Sequence, residues 1–453
     1  MSNPVVVKFG GSVLRDAESF RDAAAYTIQK NGVVVVSAMS GVTNEFMRIY
    51  EDSDFGCLHD YPMGLYQEVV TVLPIELRKV VLQQLYDTKI LQEYGMIGAR
   101  DAFVGSPEGH SAVLLAYHIR AQDRYAESLT GPEAGFFLDA HGQVDVTNSA
   151  RYLHAHLPRI LKAGVIPVVG GFLGLIGDVP NQRYKLGARN INDAFAAVIA
   201  TTLNSSAIEI IKDVPGVYRV PPEFGNYGLL KKLSHDEARK MSWRGLPVVH
   251  SSAIKIAQSK NIPIFVKDMK SKGTVISQES QTTQENPVAG LVAEMTYMVT
   301  VRDEIIDTPE SRGLYLAKIW QFEADNGTDV GMIATDFGGV SYTTAAGDRK
   351  RLDNNESLRE HIKRLEDYLS SYGYSPFIDG QEVGMIAVVG DGMRYKPGVL
   401  SSLAGILGRN GISIRASAQS DETVAPPSIT FVVGSDKLEP AVKSLAEELF
   451  TEN

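Results

Sequence analysis

At 453 residues, 44% of them hydrophobic and 22% charged, the chain is long enough for about three globular domains of ~150 residues, each with its own core. A net charge of −10 and the lack of a Lys- or Arg-rich tail argue against nucleic-acid and anionic-membrane partners. The single cysteine, Cys57, excludes an intrachain disulfide and a cysteine-rich metal site, so no metal site is expected; the opening MSNPVVVKFGG lacks a signal-peptide layout and no apolar run reaches ~18 residues, which makes the cytoplasm the expected compartment.

In chain order, Val5–Val7 reads as a strand, followed by Gly10-Gly11 and a helix beginning near Ser12. Val33–Val36, Val165–Val169, Ile208–Ile211 and Pro263–Val266 read as further strands, and the alanine-rich run Asn192–Leu203 as a helix. Continuous apolar strands separated by helices predict an α/β fold with a mainly parallel sheet sandwiched by helices, over residues 1–280. The polar run Gln278–Pro287 reads as a linker. After it the pattern changes to strand Met298–Val301, helix Gly313–Ala324, strands Val330–Ala334 and Gly339–Thr344, and helix Leu358–Leu369. It then repeats as strand Met385–Val389, helix Gly398–Asn410, strands Ser413–Ser417 and Ser428–Val433, and helix Leu438–Leu449. Two successive β-α-β-β-α patterns predict two ferredoxin-like (βαββαβ) domains, placed at 288–375 and 380–453.

Two segments carry chemistry. Lys8-Phe9-Gly10-Gly11-Ser12 follows a strand: the glycines let backbone approach an anion, a helix N-terminus offers free N–H groups, and Lys8 adds a full charge. That combination suits a transferring phosphoryl group, without the spacing of a Walker loop. The same residues also fit a plain strand-to-helix turn with a surface lysine. Ser37–Asn44 lies beyond the end of a strand, where ligands bind in open parallel sheets; its hydroxyls fit a polar substrate or a capped helix start.

The strings KFGGSVL (8–14) and VVVVSAMSGVTN (33–44) are similar to the N-terminal signature of the aspartate kinases. Glu108–Ala112, Val169–Gly174, Asp213–Tyr218, Leu233–Ala238 and Ile262–Ile264 resemble further segments of that family, in order, and the C-terminal repeats resemble its paired ACT domains. The resemblance implies transfer of a phosphoryl group from ATP to the side-chain carboxylate of aspartate, with Mg2+ arriving on the nucleotide. It implies that Lys8 stabilises the transferring group, that Gly10, Gly11 and Ser12 line its path, and that Asp193 orients the cluster. Thr43 and Glu108 would hold the amino-acid acceptor, Glu108 facing its ammonium, and Arg189 would pair with the α-carboxylate. Lys212, Asp213 and Tyr218 would serve the nucleotide. A homodimer and feedback control by a bound amino acid are also implied, with Gly313 and Gly398 at the loop-to-helix turns of the ACT repeats.

Beyond the single hydroxyl at Ser12 before Val13 and an enlarged loop at Asp421–Pro427, the chain departs from the family in four places that bear on acceptor and nucleotide. Asn190-Ile191-Asn192 stands for Gly-Gly-Ser and brings bulk toward the acceptor; Lys212 stands for threonine; Pro221-Pro222-Glu223 replaces Asp-Pro-Arg; and Pro247 replaces a lysine. The first favours a kinase for a different carboxylate-bearing amino acid as an alternative. The last two favour a catalytically degenerate amino-acid sensor.

Overall fold

Alternation along the first strand decides which residues enter the core and which enter the site. In the computed structural model, which describes residues 3–52, 63–81, 99–177, 183–188, 190–243, 249–303, 308–328, 330–336, 339–344, 355–419 and 428–451, that strand is β1, Val5–Phe9. There follow α1 (Ala17–Lys30), β2 (Val33–Val36), α2 (Val42–Asp52), α3 (Met63–Val70), α4 (Ala99–Arg120), β3 (Ala126–Leu129), α5 (Gly131–Ala134) and α6 (Val146–Lys162). Next come β4 (Ile166–Gly170), β5 (Leu173–Ile176), β6 (Arg183–Leu186), α7 (Asn192–Leu203), β7 (Ala207–Ile211), β8 (Lys232–Ser234), α8 (His235–Trp243), α9 (Ser251–Gln258), β9 (Ile264–Lys267) and β10 (Thr274–Ser277). The C-terminal part holds β11 (Gly290–Arg302), α10 (Pro309–Asp325), β12 (Val330–Asp336), β13 (Gly339–Thr344), α11 (Asn355–Ser371), β14 (Phe377–Val389), α12 (Val399–Arg409), β15 (Ile414–Gln419), β16 (Ser428–Gly434) and α13 (Leu438–Phe450). Among the described residues no helix is long and apolar enough to cross a membrane.

The chain forms two units, Met1–Val217 with Val249–Glu279, and Tyr218–Val248 with Ser280–Asn453. Residues 218–248, inside the segment that reads from sequence as one domain, therefore cluster with the C-terminal part.

In the first unit, seven strands stand in the order β3-β4-β2-β1-β7-β9-β10. All the pairings are parallel except β9 with β10. Val7 and Phe9 point into a core with Phe20 and Ala24 of α1 and Leu115 and Ile119 of α4. Lys8, between them, projects to the opposite face because side chains alternate along a strand. On that face lies α7, where every residue from Asn192 to Thr201 is buried.

One expected start is corrected. No helix begins near Ser12: Val13 N–H bonds the Gly10 carbonyl in a turn, and α1 starts at Ala17 behind an Asp16–Ser19 capping box. Val13 and Leu14 are apolar because they enter the core from the loop.

In the second unit the two repeats share one antiparallel sheet, β12-β13-β11-β14-β16-β15. The sequence reading places short strands at Met298–Val301 and Met385–Val389; β11 and β14 each run 13 residues and pair along their whole length, Gly290 opposite Val389 and Arg302 opposite Phe377. Each long strand serves both repeats. Val299 and Val301 of β11 join the core of α10 and α11, while Leu291 of β11 and Ile386 and Val388 of β14 join that of α12 and α13. The last strand of the second repeat is thus drawn from chain that precedes the first.

The expected linker is also held. The buried Glu237 carboxylate accepts bonds from Ser234 N (2.9 Å), Ser280 Oγ (2.8 Å), Thr282 Oγ1 (3.0 Å) and Asp391 N (2.8 Å). It closes a capping box with Ser234 and ties residues 280–282 to the turn after β14. Gly398 caps α12 with φ 82°, a left-handed conformation suited to glycine, whereas Gly313 lies inside α10, whose cap is Thr308.

Candidate active site

The carboxyl ends of β1, β2, β4 and β7 converge where a parallel sheet places its ligand site. Lys8 is 7% exposed and its Nζ lies 2.8 Å from Asp193 Oδ1, on the first turn of α7. Asp193 is 4% exposed, and its Oδ2 accepts the His250 N–H at 3.0 Å from the start of α9. The reading of Lys8 as a surface lysine is therefore excluded. Burial pushes the Asp193 carboxyl up, but Lys8 and Lys212 outweigh it and hold the group below its ordinary value. Lys212 follows β7, its N–H bonded to the Lys267 carbonyl at 2.9 Å. Burial pushes its ammonium down to about 8 against the pull of Asp193, and Lys8 adds to the depression. Lys8, Lys212 and Asp193 thus form one cluster of charges at the carboxyl end of the sheet, with Asp213 adjoining Lys212.

That turn is close-packed. Gly10 N–H bonds the Ile211 carbonyl at 3.0 Å. A β-carbon on Gly11 would lie 2.7 Å from the Ala38 carbonyl oxygen, so only glycine fits there, while one on Gly10 would meet nothing nearer than 3.5 Å. Ser12 is half-buried beside them.

Glu108 lies mid-helix in α4, directly after Pro107. Proline leaves the Phe103 carbonyl without its helical N–H; the Ser106 hydroxyl donates to it at 2.8 Å. The Glu108 carboxyl is buried. Burial pushes it up to about 8, opposed by the Ala38 N–H, the Thr43 hydroxyl in the first turn of α2, and Lys8. Its Oε2 has no hydrogen-bond partner among the described residues. Glu108, Thr43, Lys8, Asp193 and Lys212 therefore form one neighbourhood with Gly10–Ser12.

Gly170 and Gly171 let two helices close on this neighbourhood. A β-carbon on Gly170 would fall 2.7 Å from the Glu108 carbonyl oxygen, and one on Gly171 2.1 Å from Asn192 Oδ1. Phe172, next in line, has φ 63°, a strained conformation for a bulky residue.

The remaining expectations divide. Asp213 is exposed, just past Lys212; Tyr218 belongs to the second unit, in a bridge with Leu229. Arg189 and Pro247 lie outside the described residues. The expected bulk at 190–192 resolves differently for each residue. Asn190 takes φ 63°, a left-handed conformation asparagine tolerates well. Ile191 is fully buried against Gly187, pointing into the core. Asn192 alone reaches toward the site, donating to Ser37 Oγ at 2.9 Å. Sequence reasoning missed the His250 contact, which is made by a backbone N–H and so leaves no signal in residue type. Among the described residues no group of three or more His, Cys, Asp or Glu could hold a metal ion.

Comparisons with known proteins fit this geometry. The model of the amino acid kinase family matches residues 3–268, and that of an ACT domain matches 386–449. Aspartokinase 2 of Bacillus subtilis is 24% identical over 460 residues, covering 97% of this chain and 96% of its own. The aspartokinase of Corynebacterium glutamicum is 25% identical, covering 98% and 95%. Among solved structures, E. coli aspartokinase III in complex with lysine and aspartate, in a T-state, superposes with a TM-score of 0.79 at 23% identity, covering 99% of this chain and 100% of the other. The same enzyme with aspartate and ADP, in an R-state, gives 0.75 at 21% identity, covering 99% and 100%.

Proposed function

The chain belongs to the amino acid kinase family, and on that premise we propose that it moves the γ-phosphoryl group of ATP onto the side-chain carboxylate of aspartate, under control of an amino acid bound to its ACT region. The observation that carries this reading is the buried Lys8 held by Asp193 beside a turn that admits only glycine at Gly11. The full-length aspartokinase relatives, and the aspartate and ADP bound by aspartokinase III, support the choice of substrates.

The acceptor carboxylate is ionised at pH 7, so the reaction needs no general base. A carboxylate oxygen attacks the γ-phosphorus, the bond to the β,γ-bridging oxygen breaks, and ADP leaves. Catalysis is positioning plus neutralisation of the charge spread over the phosphoryl oxygens. Lys8 meets that charge, fixed by Asp193, which is fixed in turn by the His250 N–H. Gly10, Gly11 and Ser12 let backbone border the transfer path. Lys212 adds a second cation from the nucleotide side, followed by Asp213 and Tyr218. Glu108 and Thr43 receive the acceptor, Glu108 taking its ammonium, and Arg189 takes its α-carboxylate. Magnesium, bound to the nucleotide phosphates, supplies further neutralisation. The ACT repeats pair between two copies in a homodimer.

The test is ATP consumption with hydroxylamine trapping across a panel of amino acids. Aspartyl hydroxamate is the expected product. Another hydroxamate assigns a different carboxylate acceptor, and no turnover with any acceptor assigns a binding subunit.

A further inference from the structure

The two C-terminal repeats close their cores by different means. In the second, every buried residue of α12 and α13 is apolar: Leu403, Ile406 and Leu407 meet Ala441, Val442 and Leu445. In the first, a carboxylate stands in the middle of the core. Glu323 of α10 is 1% exposed, between Tyr342 of β13 at 0% and His361 of α11 at 6%. Its Oε1 accepts from the Tyr342 hydroxyl and, at 3.0 Å, from His361 Nε2. Both neighbours donate, because an ionised carboxylate only accepts. Burial and the Glu323 charge hold the Tyr342 phenol well above its ordinary value, so it remains a donor. Glu323 Oε2 has no hydrogen-bond partner among the described residues, and neither has the hydroxyl of Tyr315, buried in the same core.

A charge held inside a core is a weak source of stability. Its dehydration offsets the attraction of its partners, and an unpaired oxygen adds a further penalty. Opening the core returns the carboxylate to water, whereas opening an apolar core gains nothing of the kind. The contacts are also shared: losing α11 removes the His361 donor and leaves Glu323 buried with one partner. We propose that the Glu323–His361–Tyr342 cluster is an opening device, through which the first repeat separates α11 from α10 and β13 as one cooperative step while the second repeat stays closed. The C-terminal region then holds one labile half and one fixed half. A labile half is the one whose equilibrium a bound small molecule can shift by preferring its closed form. The inference goes beyond the phosphotransferase reading and does not depend on it.

Hydrogen–deuterium exchange of the full chain, read by mass spectrometry of its peptides, tests this. In wild type, peptides of α10, β13 and α11 are expected to exchange about tenfold or more faster than those of α12, β16 and α13. Glu323→Leu, His361→Leu and Tyr342→Phe combined remove the buried charge together with its partners. That variant is expected to slow exchange of α10 and α11 by about tenfold or more and to leave α12 and α13 unchanged. His361→Leu alone leaves the carboxylate short of a donor and is expected to speed exchange of α10 and α11 by about a hundredfold. Equal rates in the two repeats of wild type, earlier exchange of α12 and α13, or a combined variant whose α10 and α11 exchange no more slowly than in wild type overturns the proposal.

Discussion

Lys8 and Glu108 are both buried ionisable groups, and their neighbours assign them opposite tasks. Lys8 is paired with Asp193 within the fold itself, so its charge is in place before the nucleotide arrives. Lys8→Met removes that charge at similar length. It is expected to lower kcat by about 10²–10³-fold, the range for losing one preorganised electrostatic contact, with circular dichroism unchanged. Among the described residues no cation forms an ion pair with Glu108, and burial raises its pKa from 4.5 to about 8. The sign follows from linkage. The protonated carboxyl is favoured in the fold, that stabilisation is complete below about pH 4.5, and it is lost as pH rises through about 8. Glu108→Gln removes this dependence, so the variant should gain thermal stability relative to wild type between pH 5 and ~8. An acceptor ammonium demands the ionised form. Calorimetry near neutral pH, in buffers of different ionisation enthalpy, should therefore detect a proton released on acceptor binding, and the acceptor KM should fall as pH rises toward 8.

The elements show where sequence patterns suffice and where they fail. The boundaries of β2 and α7 follow from an unbroken valine run and an alanine-rich apolar run ended by Asn204 in a left-handed conformation. The 13-residue strands β11 and β14 were legible only in part, since Gly380, Gln381 and Glu382 interrupt the apolar alternation although they pair in the sheet. The helix expected at Ser12 failed because buried Val13 and Leu14 mimic an apolar helix face; the Asp16–Ser19 capping box was the true start signal. Lys8, Thr43 and Glu108 were legible as one site from a family resemblance, but the contact of Asn192 with Ser37 was not: it spans 155 residues, a pairing no local pattern encodes. The glycine turn separates steric need from chain flexibility. Gly11→Ala forces a β-carbon to within 2.7 Å of the Ala38 carbonyl oxygen, whereas Gly10→Ala leaves at least 3.5 Å. Gly11→Ala is expected to lower kcat/KM by about 10-fold or more through displacement of the turn. Gly10→Ala should stay within a few fold, measured in the same coupled assay.

At the scale of the whole chain, a continuous N-terminal fragment is not a natural unit. Val220 belongs to the core formed with Ile386, Phe431 and Leu445, and Leu291 N–H bonds the Arg219 carbonyl at 2.7 Å. A fragment ending at residue 280 leaves that apolar surface uncovered and is expected to aggregate, as light scattering of the purified fragment will register; a monodisperse fragment with full activity contradicts this. The claim on which all of this depends is that an acceptor carboxylate oxygen attacks the γ-phosphorus. Aspartate labelled with ¹⁸O in its side-chain carboxylate, incubated with enzyme, ATP and magnesium and then trapped with hydroxylamine, tests it by mass spectrometry of the released phosphate. One ¹⁸O atom per phosphate is the expected result; unlabelled phosphate contradicts phosphoryl transfer to that carboxylate.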